Sequence, residues 1–294
     1  MCSFFYCKPF DFCLYYRHIF DDNIDMAFDC FILASDFKRI ESRFSMAKLP
    51  EHVEYTPSYN IAPGDKCYII NNNQTKEILL FDFGLCVNGD VMAFVRAEGD
   101  RNAEDNSNYK GSKAIFLKPD FNRLIRYQRC LVLADAFVVG IEENKPHLVY
   151  LRDKKRPFAF AGIWDRLKDK TTGEEVYSFA IITTTANPFI AQLGFKRMPV
   201  ILFNEDESTW LRASAQLSDI LSMLSAYPAN LMNAYPVSNK IADKTMNDIS
   251  LIQPTGKPVY QEPTGVWQKK TKRENSFPNI TLADRMGVKR DGSF

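Results

Sequence analysis

Short runs of apolar residues, many of them β-branched or aromatic, recur through the middle of the chain and are separated by turn residues. They are CYII (67–70), EILLF (77–81), HLVYL (147–151), FAFAGIW (158–164) and YSFAIITTT (177–185). Runs of this length between turn signals are typical of buried strands. The last two runs flank DKTTGEE (169–175), whose Asp169 and Gly173 favour a turn, so together they predict a β-hairpin.

Helical periodicity is confined to a few segments. Asn204 and Glu207 have the spacing of a capping box ahead of Trp210. An apolar stripe with the spacing i, i+3, i+4, i+7 then predicts an amphipathic helix through Leu217, Ile220, Leu221 and Leu224. A helix is also expected over roughly 26–44. The stretch 99–113 lacks apolar periodicity and is expected to be an exposed loop.

Many strands with a few helices among them predict an α+β fold. We expect one domain over residues 1–255, built on a mixed, mostly antiparallel, partly closed β-sheet with flanking helices. Residues 256–294 are rich in Lys, Pro and Asn and are expected to form a basic, extended C-terminal tail. The tail contains a basic run of Lys269, Lys270, Lys272 and Arg273. This run either contacts phosphate or is only solvated.

Composition narrows the class of protein. The chain has 294 residues, 46% of them hydrophobic, which is enough for a sizeable core. Its apolar runs are too short for a membrane span, and its first residues lack the basic region of a signal peptide. Seven cysteines without a regular framework favour a reducing, cytoplasmic location. No CxxC pair is present and histidines are few, so neither a metal nor another cofactor is expected.

Five segments, taken in order, resemble one protein family. They are MCS (1–3), SYNIAPG (58–64), VRAE (95–98), KPDFNRLIRYQRCLVLADAF (118–137) and the stretch 160–202, which contains FAGIW, ITTTAN and KRMPVIL. Their order and spacing are similar to the SRAP family, the SOS-response-associated peptidase domains. The resemblance covers roughly residues 1–255. It implies the SRAP fold and a role in the DNA damage response, at abasic sites in single-stranded DNA.

The resemblance implies that Cys2 is the nucleophile. In the family, removal of Met1 exposes a cysteine that forms a thiazolidine with the aldehyde of an abasic site, which is a DNA–protein crosslink. An autoproteolytic activity that frees this cysteine is also proposed for the family. The chemistry suits a 1,2-aminothiol, because amine and thiol have pKa values near ~8 and ~8.5 and the ring closes intramolecularly. The alternative is that Cys2 is an incidental small apolar residue.

Several polar residues of the family's site are replaced. Phe94 stands in place of the family's Asn, Val139 in place of its Glu, and Phe195 in place of its His; with a variant spacing, Gln192 takes the His position. Glu and His supply acid–base and electrostatic effects worth about 10²–10⁴-fold each, so we expect impaired catalysis. We also expect Cys2, Phe94, Val139 and Phe195 or Gln192 to approach each other. The new apolar pocket is either a repaired core or a dry cavity for another partner.

Further matched segments border the DNA groove in the family. They supply the candidate phosphate-binding residues Arg96, Lys118, Arg123, Arg126, Arg129 and Arg197. The alternatives are a solvated face for Arg123, Arg126 and Arg129 and a buried ion pair for Arg197. Glu98 or His147 could also fill a vacated catalytic role.

Three functions compete at this point. The first is recognition of abasic sites in single-stranded DNA by a monomer that crosslinks through Cys2. The second is a non-catalytic paralogue, a pseudoenzyme that binds single-stranded nucleic acid or a protein partner. The third is a thiol hydrolase that uses Cys2, Cys7 or Cys130, for which no recognisable Cys–His pairing exists.

Overall fold

The strands follow the apolar runs of the sequence closely. A computed structural model describes residues 27–44, 47–51, 53–87, 89–98, 114–152, 156–168 and 173–261. In this part of the chain the strands are β1 (Cys30–Leu33), β2 (Ser58–Ile61), β3 (Lys66–Asn71), β4 (Leu79–Phe83), β5 (Leu85–Val87), β6 (Asp90–Met92), β7 (Phe94–Arg96), β8 (Arg129–Ala134), β9 (Ala136–Val139), β10 (His147–Leu151), β11 (Phe158–Lys168), β12 (Glu175–Thr185), β13 (Arg197–Pro199) and β14 (Met232–Pro236).

The helices are short, with at most nine residues each in the described part of the chain. They are α1 (Phe37–Arg43), α2 (Pro119–Tyr127), α3 (Pro188–Gln192), α4 (Asn204–Leu211) and α5 (Leu217–Ser222). Proline at the first helical turn starts both α2 and α3, because its fixed φ suits that position and its missing N–H is not needed there. Asn187 caps α3, since its side chain accepts a hydrogen bond from the Ile190 N–H.

The larger sheet closes on itself. Strand β11 pairs with β8 on one edge and with β12 on the other, and the ring is completed through β3 and β4. Strand β7 pairs in parallel with β12, and β13 pairs antiparallel with it. The fold is therefore α+β with a mixed, partly closed sheet, as the sequence predicts.

A second, five-stranded sheet has the order β14-β10-β9-β1-β2. Alternation along β9 divides its side chains between two apolar clusters. Phe137 and Val139 belong to the main core, whereas Ala136 and Val138 belong to a smaller cluster. The face of β9 that carries Phe137 and Val139 is therefore in the same core as the closed sheet.

The predicted strands and the β11–β12 hairpin are confirmed, but two helical predictions are wrong in part. Residues 30–33 form β1, and the helix expected over 26–44 begins only at Phe37. An all-apolar run fits a strand buried on both faces as well as a helix. The capping box is also absent, because Asn204 is already helical and its side chain accepts from Arg43, which also pairs with Glu207 at 2.6 Å.

The ends of the predicted domain are only partly described. The chain still packs on the domain just beyond residue 255: the Val259 N–H donates to the Ala234 carbonyl, and the Tyr260 ring lies 5.2 Å from that of Phe189. Residues 1–26, the predicted loop 99–113 and the tail from 262 onward lie outside the described residues. In the described ranges, no helix combines the length and the apolar character needed to cross a membrane.

Candidate functional site

Two of the three replaced positions lie in one apolar core. Phe94 begins β7 and Val139 ends β9, and both side chains are buried in the main cluster. Phe28 joins the two strands: its ring centroid lies 4.9 Å from that of Phe94 and 5.8 Å from that of Phe137, two residues before Val139. The Phe28 phenyl ring thus occupies the space between Phe94 and Phe137, in the region where the sequence predicts Cys2.

Local backbone contacts hold Phe28 in place. The N–H of Asp29 donates to the Val138 carbonyl at 2.8 Å, which fixes the chain just before β1. Phe28 is completely buried, and its ring also stacks on Phe160 at 5.5 Å. A buried aromatic side chain with this many ring contacts contributes strongly to the core. Sequence reasoning missed Phe28 because nothing in the nearly all-apolar stretch FDCFILASDF (28–37) distinguishes it from the other aromatic residues there.

Gly140 directly follows Val139 at the end of β9. Its φ is +92°, and a Cβ placed there would lie 2.6 Å from the carbonyl oxygen of Lys145. A side chain is therefore excluded twice, by the left-handed backbone and by the contact with Lys145. This position therefore does not accept a side chain without a change of backbone.

The third replaced position, Phe195 or Gln192, is not adjacent to Phe94 in the sheet. Arg197 pairs with Thr185, whereas Phe94 pairs with Ile181, which is four residues earlier on β12. This offset corresponds to about 13 Å along a strand. Phe195 is half-buried against the outside of the main core, and Gln192 is exposed. Cys2 lies outside the described residues.

Glu98 and Arg197 form a buried ion pair. The Arg197 Nη2 lies 2.9 Å from Glu98 Oε2, and the two side chains are only 5% and 9% exposed, respectively for Glu98 and Arg197. Arg197 also donates to Thr183 Oγ1, and the Thr184 hydroxyl donates to Glu98 Oε1. Burial alone would raise the pKa of Glu98, but the Arg197 charge and hydrogen bonds outweigh it, so the pKa lies below its ordinary value. Arg197 is thus the partner in a buried ion pair, which is the alternative to phosphate binding that the sequence left open.

Arg129 is also internal. It is completely buried, and its guanidinium donates to the carbonyls of Trp210 at 2.7 Å, Ile125 at 3.0 Å and Arg212 at 2.7 Å. Burial lowers the pKa of Arg129 to about 10. The expectation that Arg129 contacts phosphate is not met in this structure, because its donors are used to tie the start of β8 to the end of α4.

The remaining basic candidates lie at or near the surface between β7 and α2. Arg96 ends β7, and the N–H of Ile115, three residues before Lys118, donates to the carbonyl of Ala97. This bond places the start of α2 beside the end of β7. Arg126 and Arg123 follow along α2: Arg126 donates to Asn122, and the Arg123 side chain is 59% exposed and lies 2.7 Å from Asp165. We call Arg96, Lys118, Arg123 and Arg126 the basic strip.

The remaining catalytic alternatives find no support in the geometry. Cys130 is completely buried and its burial raises the pKa of the thiol, so it is not a nucleophile of a hydrolase. Burial likewise raises the pKa of Cys30 to about 12. His147 lies opposite Val139, but its Nδ1 is 2.7 Å from the Lys145 carbonyl. Glu98 is held by Arg197. Cys2 and Cys7 are outside the described residues, within which no cluster of metal-ligating side chains occurs.

Known proteins resemble this chain in sequence and in fold. The model of the SOS response associated peptidase (SRAP) family matches residues 30–244. Abasic site processing protein YoaM of Bacillus subtilis is 30% identical over 227 residues, which are 76% of this chain and 96% of the relative. Abasic site processing protein YoqW of the same organism is 29% identical over 228 residues, covering 76% and 97%.

More distant relatives agree. Abasic site processing protein HMCES of Rattus norvegicus is 23% identical over 248 residues, covering 71% of this chain and 68% of the relative. A crystal structure from Bacteroides thetaiotaomicron superposes with a TM-score of 0.56 at 25% identity, covering 77% of this chain and 100% of the other. The segment around Cys2 precedes the residues that the family model matches. The family match, spanning most of the chain, shows that this protein belongs to the SRAP family.

Proposed function

We propose that this chain is a non-catalytic SRAP protein, which binds abasic single-stranded DNA without forming a covalent bond to it. The observation that carries the proposal is the buried Phe28 ring, packed between Phe94 and the core face of β9. The names of the relatives, abasic site processing proteins, support DNA as the partner.

The chemistry of an aldehyde explains why the filled core matters. Attack on a carbonyl develops charge on its oxygen, which needs donors or a charged group within hydrogen-bond reach. Phe94 and Val139 offer no hydrogen-bonding side-chain atoms, and burying a reacting carbonyl against them would cost free energy. The apolar contacts therefore favour a repaired core rather than a reaction centre.

The basic strip suits the backbone of a single strand. Guanidinium and ammonium groups position phosphates without reading sequence. Arg96, Lys118 and Arg126 are partly exposed and Arg123 is exposed, and they come from two elements that the Ile115–Ala97 hydrogen bond joins. A contact of this kind releases counterions, so affinity should fall steeply with salt.

Fluorescence anisotropy tests this proposal. The probe is a 20-nucleotide single strand with a central tetrahydrofuran, an abasic analogue without an aldehyde. Affinity should fall linearly with salt on a double-logarithmic plot, and Arg126→Ala or Arg96→Ala should each reduce the slope by about one. The matched control is Lys240→Ala. Lys240 is an exposed residue in the short 3-10 helix that follows β14. Absent or salt-insensitive binding would contradict the proposal.

A second candidate is covalent capture by Cys2, which its position directly after Met1 favours. Once Met1 is removed, the α-amine would condense with the aldehyde and release water, and the thiol would add to the imine to close the thiazolidine. The exposed aminothiol itself supplies both bonds. Intact-mass measurement decides whether this route is open, because a retained Met1 blocks the amine.

We further propose that the protein acts in the cytoplasm as a monomer. The irregular spacing of its seven cysteines supports a reducing compartment. In the described part of the chain, Cys30, Cys67, Cys86 and Cys130 are free thiols. Size-exclusion chromatography with light scattering tests the monomer.

A further inference from the structure

A pocket of about 660 Å³ lies between the end of α2 and the β11–β12 hairpin, away from the replaced catalytic positions. One wall is the hairpin, the second is the end of α2, and the third is the turn after β3. The residues that line it are Asn71, Asn73, Gln74, Arg123, Gln128, Trp164, Asp165, Arg166, Leu167 and Tyr177. Its lining combines side-chain amides, two aromatic rings and two guanidinium groups.

Gln128 is in the lining of this pocket and carries a buried acceptor without a partner in the described residues. The residue is 9% exposed, and its Oε1 has no hydrogen-bond partner among the described residues. The orientation of the amide follows from its other contact: Nε2 donates to Asp165 Oδ1 at 3.0 Å, and a carboxylate can only accept. A buried carbonyl oxygen without a donor costs free energy, so this position calls for an N–H or O–H group.

The aromatic wall is fixed before any ligand arrives. Trp164 and Tyr177 lie side by side on the hairpin, with centroids 6.4 Å apart and planes 26° from parallel. Phe81 supports both from behind, at 5.6 Å and 5.1 Å. The Trp164 Nε1–H donates to Asn72 Oδ1 at 3.1 Å, which holds the indole in place. Tyr177 is partly exposed and offers a flat face.

Ion pairs and a hydrogen bond hold the charged side chains at the pocket in place. Asp165 Oδ2 pairs with Arg123 at 2.7 Å while its Oδ1 accepts from Gln128, so one carboxylate positions both groups. Arg166 pairs with Glu175 at 3.2 Å on the outer part of the hairpin. Each guanidinium of the lining thus has one carboxylate partner, and the Arg123 side chain, 59% exposed, keeps N–H groups that a phosphate can accept from.

We infer that this pocket binds an unpaired nucleobase, stacked on the aromatic wall with an N–H edge toward Gln128 Oε1. A base has the flat π-face that stacking needs, an amino or imino donor, and a phosphate that suits Arg123 and Arg166. Arg123 belongs both to the pocket lining and to the basic strip, so a strand bound along the strip passes the pocket. The inference rests on the proposed function only in this respect, since a free nucleotide carries the same chemistry.

The experiment follows the side-chain amide signal of Gln128 by ¹H–¹⁵N NMR, assigned with Gln128→Met. The probes are dAMP, deoxyribose 5-phosphate as its base-free counterpart, and a 20-nucleotide oligo(dA). We expect dAMP and oligo(dA) to shift the signal and the base-free sugar phosphate to leave it unchanged. Gln128→Met and Tyr177→Leu should weaken dAMP binding about tenfold. Tyr127→Ala, which removes an exposed aromatic ring outside the pocket, is the control and should have no effect.

The outcomes distinguish the nucleobase pocket from the proposed binding of single-stranded DNA. No shift with any base, or equal affinity in the wild type, Gln128→Met and Tyr177→Leu, overturns the pocket; a water molecule then satisfies Gln128. If oligo(dA) binds with an affinity that neither variant changes, the pocket inference fails while the proposed DNA binding stands. If dAMP shifts Gln128 but single strands do not bind, the pocket stands as a nucleotide site and the proposed function fails.

Discussion

The rings of Phe28 and Phe94 meet edge to face inside the main core, with centroids 4.9 Å apart. The sequence resemblance predicts that Phe94 stands in place of the SRAP family's Asn, and the contact places this side chain in packed core. Edge-to-face aromatic pairs stabilise a core beyond their buried area alone. The contact thus puts an aromatic pair where the resemblance predicts a polar residue in the family.

Removing the Phe28 ring should therefore destabilise the fold strongly. Phe28→Ala leaves a cavity beside Phe94, Phe137 and Phe160, and we expect the free energy of unfolding to fall by about 3–5 kcal/mol. Denaturant unfolding measures the loss. Tyr127→Ala, at a side chain 62% exposed, should change stability by less than about 0.5 kcal/mol. A loss below about 1 kcal/mol for Phe28→Ala would mean that the ring is not in the core.

The Glu98–Arg197 pair should behave as a unit. Glu98→Gln and Arg197→Met each leave a buried partner uncompensated, at a cost of about 3–5 kcal/mol. The double variant should lose less than the sum of the two by about 1–3 kcal/mol. A double-mutant cycle from urea unfolding provides this number. Strict additivity would show that the two side chains are not coupled.

Acid should weaken this pair. The pKa of Glu98 is lowered in the folded chain, so its stabilisation is fully present above the unfolded pKa of about 4.3 and is lost as pH falls through the folded value. The Glu98→Gln variant lacks this titration. The difference in unfolding free energy between wild type and Glu98→Gln should therefore shrink below about pH 4. A constant difference from about pH 3 to about pH 7 would contradict the assignment.

Asp29 predicts the opposite pH dependence. Burial, with smaller contributions from Glu142 and Glu143, raises its pKa to about 6. A raised carboxyl pKa means that the folded chain binds the proton more tightly, so stability falls as pH rises from about 4 to about 6. Asp29→Asn can still accept the Ile141 N–H and should be more stable at about pH 7 by about 1–3 kcal/mol.

The measurement is thermal or urea unfolding of both forms at several pH values. The advantage of the Asp29→Asn variant should vanish below about pH 4, where the wild-type carboxyl is protonated in both states. Asp90→Asn, at an exposed position in β6, is the matched control and should show no such change. An Asp29→Asn variant less stable than wild type at neutral pH would contradict the raised pKa.

Local apolar patterning was sufficient to predict most strands and the fold class, because strands such as β10 and β12 coincide with continuous apolar runs. It could not separate strand from helix at 30–33, where both faces are buried. Asn204 and Glu207 have capping spacing, but Arg43, more than a hundred residues away in the chain, binds both. Long-range partners of this kind decide a residue's role and leave no local signal.

The sequence carried less information about how the predicted site residues pack. The sequence predicted that Phe94 and Val139 share an apolar region, and both lie in the main core. It could not show that Phe28 fills the space between their strands. Arg129 and Arg123 are equally basic in sequence, yet one is enclosed by backbone carbonyls and the other is exposed. The Gln128 Oε1 is likewise left without a partner because the amide Nε2 donates to Asp165, a residue that is distant in sequence.

Denaturing electrophoresis of the protein with an abasic single strand tests the central claim most directly. The protein must first be shown by intact mass to have lost Met1, so that the α-amine of Cys2 is free, and Cys2→Ala is run beside it. A filled, apolar site predicts that the strand binds under native conditions and runs free of the protein once denatured. A Cys2-dependent band that survives denaturation would contradict the account and establish covalent capture.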